Sequence, residues 1–427
     1  MIVTLIIYIL AVFWLTRNKR AIIAKQERLI WSCTFAIYAL YTVITNQYVN
    51  NPSTDYYLFY DQFGFYNRSI SLSKLPFDKL WITATTSNIS SDSPLVHVWF
   101  ACLVKVANFL NVKNILLYLE LNNVFLGSLV PVIIAKILYF RLSIQPYKKV
   151  LLFALISPLF LYSCVLLRDI HICFLYTCML YVAWKPNLKL RWIWLLLLSL
   201  ITLYIRTENG LFSVMFWGLA YYRIYLNGGK VRKTIIVMFA LFVMAALSRT
   251  IISVMVDTTF RYTERSIEKN ESTGSIGVKL NYLPIPLNYI SKATFAQMLP
   301  FPVWLPLQDS EYTKDISEGF GYKILRSIEC LFPFYWLPLL CVLFYIWKKY
   351  RKLWDKETLA LFYICLLYFV VASASEINTR RLMAMFPALF IVYEITKKTF
   401  PIRTIRIRTF TIGLFILLHI VYLFIKS

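Results

Sequence analysis

Guanidinium and carboxyl groups gather in this chain at the outward ends of apolar runs: Arg168-Asp169, Arg206-Thr207-Glu208-Asn209, Arg249, and Glu376 followed by Arg380-Arg381. A charged side chain near hydrocarbon is expensive and is usually kept for a partner ion or a ligand. Arginine presents a planar, permanently charged fork that fits phosphate oxygens. A carboxylate within reach of a hydroxyl can take its proton. Both signs at one level of a bilayer point to an anionic, lipid-borne substrate.

Each cluster has a plainer reading beside the chemical one. Neighbours in sequence face different sides of a helix, so Arg168 and Asp169 do not neutralise each other well and at least one seeks a partner elsewhere; a helix-terminus ion pair is the alternative. Arg206 is placed to bind phosphate, with Glu208 or Asn209 orienting a sugar hydroxyl, against a solvated turn holding an ordinary charge pair. Arg249 lies about two turns below the outer end of its run, deep enough for a pocket, although snorkelling would also rescue it. Arg380 and Arg381 stand where basic residues are disfavoured, which fits pyrophosphate binding, with ion pairing to Glu376 as the competitor. Arg261 and Arg265 are solvated by default.

Upstream, the acidic and aromatic stretch from Asp55 to Arg68 follows closely behind an apolar run. Asp61 is the preferred acid there, with Tyr66, Asn67 and Arg68 behind it, while an interfacial aromatic belt explains the same composition. Asp61, Asp169 and Glu208 are thus the candidate proton acceptors. Arg68, Arg168, Arg206, Asn209, Arg249, Arg380 and Arg381 are the candidate substrate-binding groups. No metal-ligand spacing occurs, no cofactor is named by these residues, and a carboxylate can still hold a divalent cation. His171 and His419 sit in apolar runs and read as packed side chains; His97 is a weak candidate base. Walker, GxSxG, HExxH and dinucleotide patterns do not occur.

The elements that must position these groups follow from composition. With 427 residues, 59% hydrophobic and a mean hydropathy of +0.63, the chain has too little polar surface for a soluble globule. Apolar runs of about 17 to 25 residues match helices crossing a hydrocarbon core. The reading is an all-α polytopic integral membrane protein forming one domain over 1–427. About twelve spans are expected, near 2–16, 30–46, 115–140, 150–167, 170–184, 192–206, 210–226, 234–256, 330–347, 358–374, 381–396 and 408–425. The formal net charge of +24 falls in short clusters between spans rather than on one face, which argues against nucleic acid and places those connectors in the cytoplasm. Two long outward segments remain, 47–114 and 257–329. Within the first, 95–111 carries His97, Lys105 and Asn108 among apolar residues and reads as an interfacial helix. The eight cysteines lack metal spacing and read as small packing groups.

The order of an acidic-aromatic first outward loop, an interfacial helix, spans ending in Leu-Leu-Arg168-Asp169 and Ile-Arg206-Thr-Glu208, and a late Arg380-Arg381 before Pro387 resembles bacterial enzymes of surface-polysaccharide assembly. Two groups are similar: O-antigen and capsule repeat-unit polymerases of the Wzy type, and lipid-phosphosugar glycosyltransferases of the GT-C architecture. The resemblance implies a multi-pass protein of the bacterial inner membrane. Its substrate would be a polyprenyl-(di)phosphate-linked glycan at the periplasmic face, with the bilayer and a chain-length regulator or other assembly proteins as partners. It implies polymerisation of undecaprenyl-diphosphate-linked repeat units; the alternatives are single-sugar transfer from a polyprenyl phosphate and, outside the enzymes, a lipid-linked oligosaccharide flippase. Outward arginines would stabilise the departing phosphate, and Asp61, with Asp169 or Glu208 in reserve, would deprotonate the acceptor. Arg249, Arg261 and Arg265 agree with the functional arginines of polymerase loops, whereas Asp61-Gln62 departs from the paired acids frequent in GT-C enzymes.

Overall fold

The computed structural model describes residues 2–17, 21–50, 57–59, 61–86, 93–143, 146–226, 237, 239–243, 280–307, 320–375, 377–400 and 404–426. Among these residues every regular element is helical and none is a strand. Five helices are long and apolar enough to cross a membrane, at Ala21–Tyr48, Ile115–Leu142, Tyr322–Leu353, Lys356–Ser373 and Ile405–Phe424, as in a polytopic membrane protein. Most of the expected span at 234–256, with Arg249, and residues 257–279 and 308–319 of the second outward segment, with Arg261 and Arg265, lie outside the described residues, as does Glu376.

The chain divides into two compact units, Met1–Leu151 with Tyr162–Thr273, and Leu152–Leu161 with Gly274–Ser427. In the first, α1 (Ile2–Leu15), α2 (Ala21–Tyr48), α3 (Asp61–Ser73), α4 (Phe77–Thr86), α5 (Pro94–Phe109) and α6 (Ile115–Leu142) are followed by α7 (Tyr147–Ile156), which leads out of the unit. The chain re-enters through the end of α8 (Pro158–Ser163) and continues as α9 (Asp169–Trp184), α10 (Arg191–Ile205), α11 (Thr207–Phe212) and α12 (Val214–Leu226).

Helices α2 and α6, each 28 residues and therefore roughly 42 Å long, run antiparallel. Lys136 Nζ meets Glu27 at 2.7 Å near one end, and Asn46 reaches Glu120 at 3.1 Å near the other. Asn114 caps α6 by accepting from Leu117 N at 3.0 Å, and Ser143 ends it in the left-handed region at φ 56. Basic residues collect at the Glu27–Lys136 end. Arg141 stacks over Trp184 at 4.8 Å, Arg223 Nη1 donates to the Trp184 carbonyl, and Arg191 donates to Lys185 O at 2.6 Å. The positive-inside rule expects clusters of this kind at one face of a membrane protein.

The expected span 150–167 is instead two short helices broken before Pro158, then non-helical chain to Arg168. A proline lacks the N–H that a continuous helix needs. Asn123 of α6 stabilises the irregular stretch by donating to Val165 O at 2.8 Å and Leu167 O at 3.0 Å. Gly127, one turn further on, permits close approach of Ser163, whose Oγ would lie 2.1 Å from an added Cβ.

The second unit contains α13 (Leu287–Ala296), α14 (Phe320–Arg326), α15 (Phe332–Tyr350), α16 (Lys356–Ser375), α17 (Thr379–Leu382), α18 (Phe386–Thr399) and α19 (Ile405–Lys426). Its core is aromatic: Trp336 lies against Phe386 at 4.4 Å, and Phe153 stacks on Phe390 at 4.5 Å. His419 is fully engaged. Its Nε2 accepts from Val303 N at 3.0 Å and its Nδ1 meets Phe415 O at 2.7 Å, fastening a proline-rich segment to α19.

Candidate functional site

Arg168 and Asp169 begin α9, and Arg206 lies between the end of α10 and the start of α11. An acid in the first turn of α9 and a cation at the end of α10 each face the favourable end of a helix dipole. The antiparallel α9 and α10 bring them together, with Arg206 Nη1 3.7 Å from Asp169 Oδ1 and both side chains buried. Arg206 Nε also donates to Glu208 Oε2 at 3.1 Å, and that carboxylate is half-exposed. Arg168 turns the other way and donates through Nη1 to Ser93 Oγ at the start of α5. Adjacent residues of opposite charge thus find different partners.

The Glu208 carboxyl has its pKa lowered from the ordinary value. Burial acts to raise it and is outweighed by the charges of Arg206 and then Arg168. A carboxylate held ionised in this way is a weak proton acceptor, because general bases work best with a pKa near the working pH. Glu208 is better suited to hold the two guanidinium groups or a substrate hydroxyl. Asn209 is buried beneath the turn: its carbonyl accepts from Tyr176 Oη at 2.7 Å and its side chain donates back at 3.3 Å. Tyr176 therefore fixes the register of α11 under Arg206.

Asp61 is exposed in the first turn of α3, and Arg68 follows on the same helix. Seven residues make almost two full turns, so the two stand on one stripe roughly 10 Å apart along the axis. Phe65, between them, stacks on His97 of α5 with ring centroids 5.2 Å apart. Arg68 and Arg168 are the charges that act on that imidazole. Asp61, Arg68, Arg168, Asp169, Arg206, Glu208 and Asn209 all belong to the first unit, whereas Arg380 and Arg381 belong to the second. There Arg380 N donates to Asn378 Oδ1 at 2.9 Å, and Arg381 O accepts from Tyr368 Oη at 2.9 Å. Among the described residues, no three His, Cys, Asp or Glu side chains gather in a group that could hold a metal ion.

Glu120 is absent from the sequence reading. It is fully buried in α6. Its Oε1 accepts from Asn50 at 2.6 Å and Gln62 at 3.1 Å, and its Oε2 from Asn46 at 3.1 Å. The amide oxygens of Asn50 and Gln62 accept in turn from Leu58 N at 2.9 Å and Phe59 N at 3.0 Å. This network ties α6 and α2 to the start of α3, directly beside Asp61. A lone acid one turn into an apolar run was the available signal.

No family model, curated protein or solved structure matches this chain.

Proposed function

We propose that this chain is a multi-pass membrane glycosyltransferase of the bacterial inner membrane, of about twelve spans. Its reaction would join polyprenyl-diphosphate-linked oligosaccharide units into a polysaccharide at the periplasmic face. The observation that carries the reading is the meeting of Arg206 with Asp169 and Glu208 at the end of the first unit opposite its basic cluster, with Arg168 acting on the same Glu208. In the proposed reaction the acceptor hydroxyl attacks the anomeric carbon, the bond to the phosphate oxygen breaks, and the diphosphate leaves with its charge on Arg168 and Arg206. Electrostatic stabilisation of such a leaving group is usually the largest catalytic contribution. Asp61, exposed at the head of α3, is the preferred acceptor of the hydroxyl proton, since Asp169 is committed to Arg206 and Glu208 is held ionised.

A second reading, single-sugar transfer from a polyprenyl phosphate, draws support from the three helices α3, α4 and α5 behind the first outward loop. They share a small core of Leu72, Leu80, Ala84 and Ala101, the kind of juxtamembrane platform that GT-C enzymes carry. Glycan analysis of a deletion strain separates the readings. Loss of long chains with single lipid-linked units retained supports polymerisation, and a shortened repeat unit supports single-sugar transfer. Complete units accumulating on the inner leaflet would replace both with a flippase.

A further inference from the structure

We propose that Arg68, Arg168 and His97, set around the N-terminus of α5, form a phosphate subsite in which His97 takes up a proton as the anion binds. The geometry carries this. Ser93 precedes α5 and accepts from Arg168 Nη1, so that guanidinium is fixed at the helix N-terminus, where partial positive charge favours an anion. His97 lies one turn in, its backbone N–H donating to Ser93 O at 3.3 Å. Its ring is more than nine-tenths buried, and among the described residues its Nδ1 has no hydrogen-bond partner. Phe65 holds the ring by stacking, and Arg68 stands three residues beyond Phe65 on the face of α3 that meets α5. A buried ring nitrogen left unsatisfied beside two guanidinium groups fits a ligand rich in acceptor oxygens.

Charge explains the coupling. Burial first, then Arg68 and Arg168, push the imidazole down to about 3, so it is neutral near pH 7. Titratable and charged groups also lie on the elements packed against α5: Asp61 on α3, Asp78 and Lys79 on α4, Glu120, Lys136 and Arg141 on α6, Arg191 at the start of α10 and Lys105 on α5 itself. Arg68 and Arg168 act most on the ring. A tetrahedral dianion beside them opposes both cations and favours imidazolium, which then donates to a phosphate oxygen. By linkage, anion binding and proton uptake strengthen each other. The site thereby favours an anion of two charges, such as the diphosphate bridge of the proposed donor, over a neutral or singly charged headgroup.

This deepens the glycosyl-transfer reading by naming where a donor phosphate is held, and the test is independent of transfer. The full-length protein in zwitterionic detergent is titrated calorimetrically with sodium sulfate, a tetrahedral dianion that does not itself titrate near pH 6.5, in two buffers of different ionisation heat. Sulfate should bind with net proton uptake, and 15N-histidine NMR should show the titration of one of the three imidazoles moving to higher pH on binding. His97→Gln should abolish the uptake and weaken sulfate about tenfold or more, as loss of one charge-assisted hydrogen bond predicts. No sulfate binding, or uptake unchanged in His97→Gln, overturns the proposal; if that variant fails to fold, the wild-type NMR signal decides alone. Displacement of sulfate at much lower concentration by farnesyl diphosphate than by inorganic pyrophosphate identifies a lipid-borne phosphate, and equal displacement a free one. Arg206→Lys separates the readings: it should lose transfer and keep sulfate-linked protonation.

Discussion

Arg206 and Asp169 sit 3.7 Å apart with side chains only 7% and 5% exposed, one at the end of a helix and the other at the start of its antiparallel neighbour. Removing one member of a buried pair leaves the other as an uncompensated charge, at a typical cost of about 3–5 kcal/mol. Arg206→Ala should therefore lower the unfolding free energy of the detergent-solubilised protein by an amount near that range. Asp169→Asn leaves Arg206 with Glu208 and should cost clearly less. Arg206→Lys keeps a charge but loses the planar fork, so it should fold nearly as well and lose about 100-fold or more in transfer rate. An Arg206→Lys protein with full activity would remove the guanidinium from leaving-group stabilisation.

Glu208 supplies a pH signature. Its folded pKa lies below the ordinary carboxylate value because Arg206 and Arg168 outweigh burial. A depressed folded pKa contributes stability above the unfolded value of about 4.3 and loses it as pH falls through the folded value. The stability difference between wild type and Glu208→Gln should be constant from pH 7 to about 5 and shrink on further acidification. Because the carboxylate is half-exposed, the plateau should be small, about 1 kcal/mol or less. Thermal unfolding across pH 3–7 reads this; a difference that grows on acidification contradicts it.

Helical class and most of the residues that meet in the first unit were legible in the sequence, because apolar runs and charges at their ends are local signals. Arg168, Asp169, Arg206 and Glu208 stood out for that reason. Their pairing was not legible: Arg168 goes to Ser93 and Asp169 to Arg206, contacts across 75 and 37 residues that depend on how α5, α9 and α10 meet. The break in 150–167 hinged on Pro158, which reads equally well as a tolerated proline within a span until Asn123 is seen holding the carbonyls beyond it. His97 looked weak on an interfacial helix, since amphipathic spacing does not reveal that α3 lays Phe65 across its ring.

Glu120 shows what a hydropathy reading hides. One acid within 28 largely apolar residues barely changes the mean, yet its carboxylate accepts from three carboxamides that join α2, the start of α3 and α6. Glu120→Ala should strand those donors in a buried space, with about 1–3 kcal/mol for each one that cannot relax. Glu120→Gln keeps the shape but turns an amide N–H2 toward other donors, and should cost an intermediate amount. Hydrogen exchange should rise first between Gln62 and Arg68, because Gln62 is the link from this network to α3. Unchanged exchange there in Glu120→Ala would mean that α3 is held by its contacts with α4 and α5.

The turn that carries Arg206 depends on a missing side chain. An added Cβ on Gly210 would lie 2.2 Å from Leu203 Cα and 2.7 Å from Leu203 N, backbone atoms that cannot rotate away. Gly210→Ala must push α11 off α10, moving Glu208 and loosening the Tyr176 Oη to Asn209 O bond of 2.7 Å. Overpacking of this kind typically costs about 1–3 kcal/mol. Gly218, inside α12 with nothing within 4 Å of its added Cβ, is the matched control. Alanine there should be neutral or stabilising by up to about 1 kcal/mol, through helix propensity. If transfer requires Arg206 and Glu208 in register, Gly210→Ala should lose activity even at temperatures where it remains folded, while Gly218→Ala keeps it. Equal behaviour of the two variants would place the α10–α11 turn outside the reacting site.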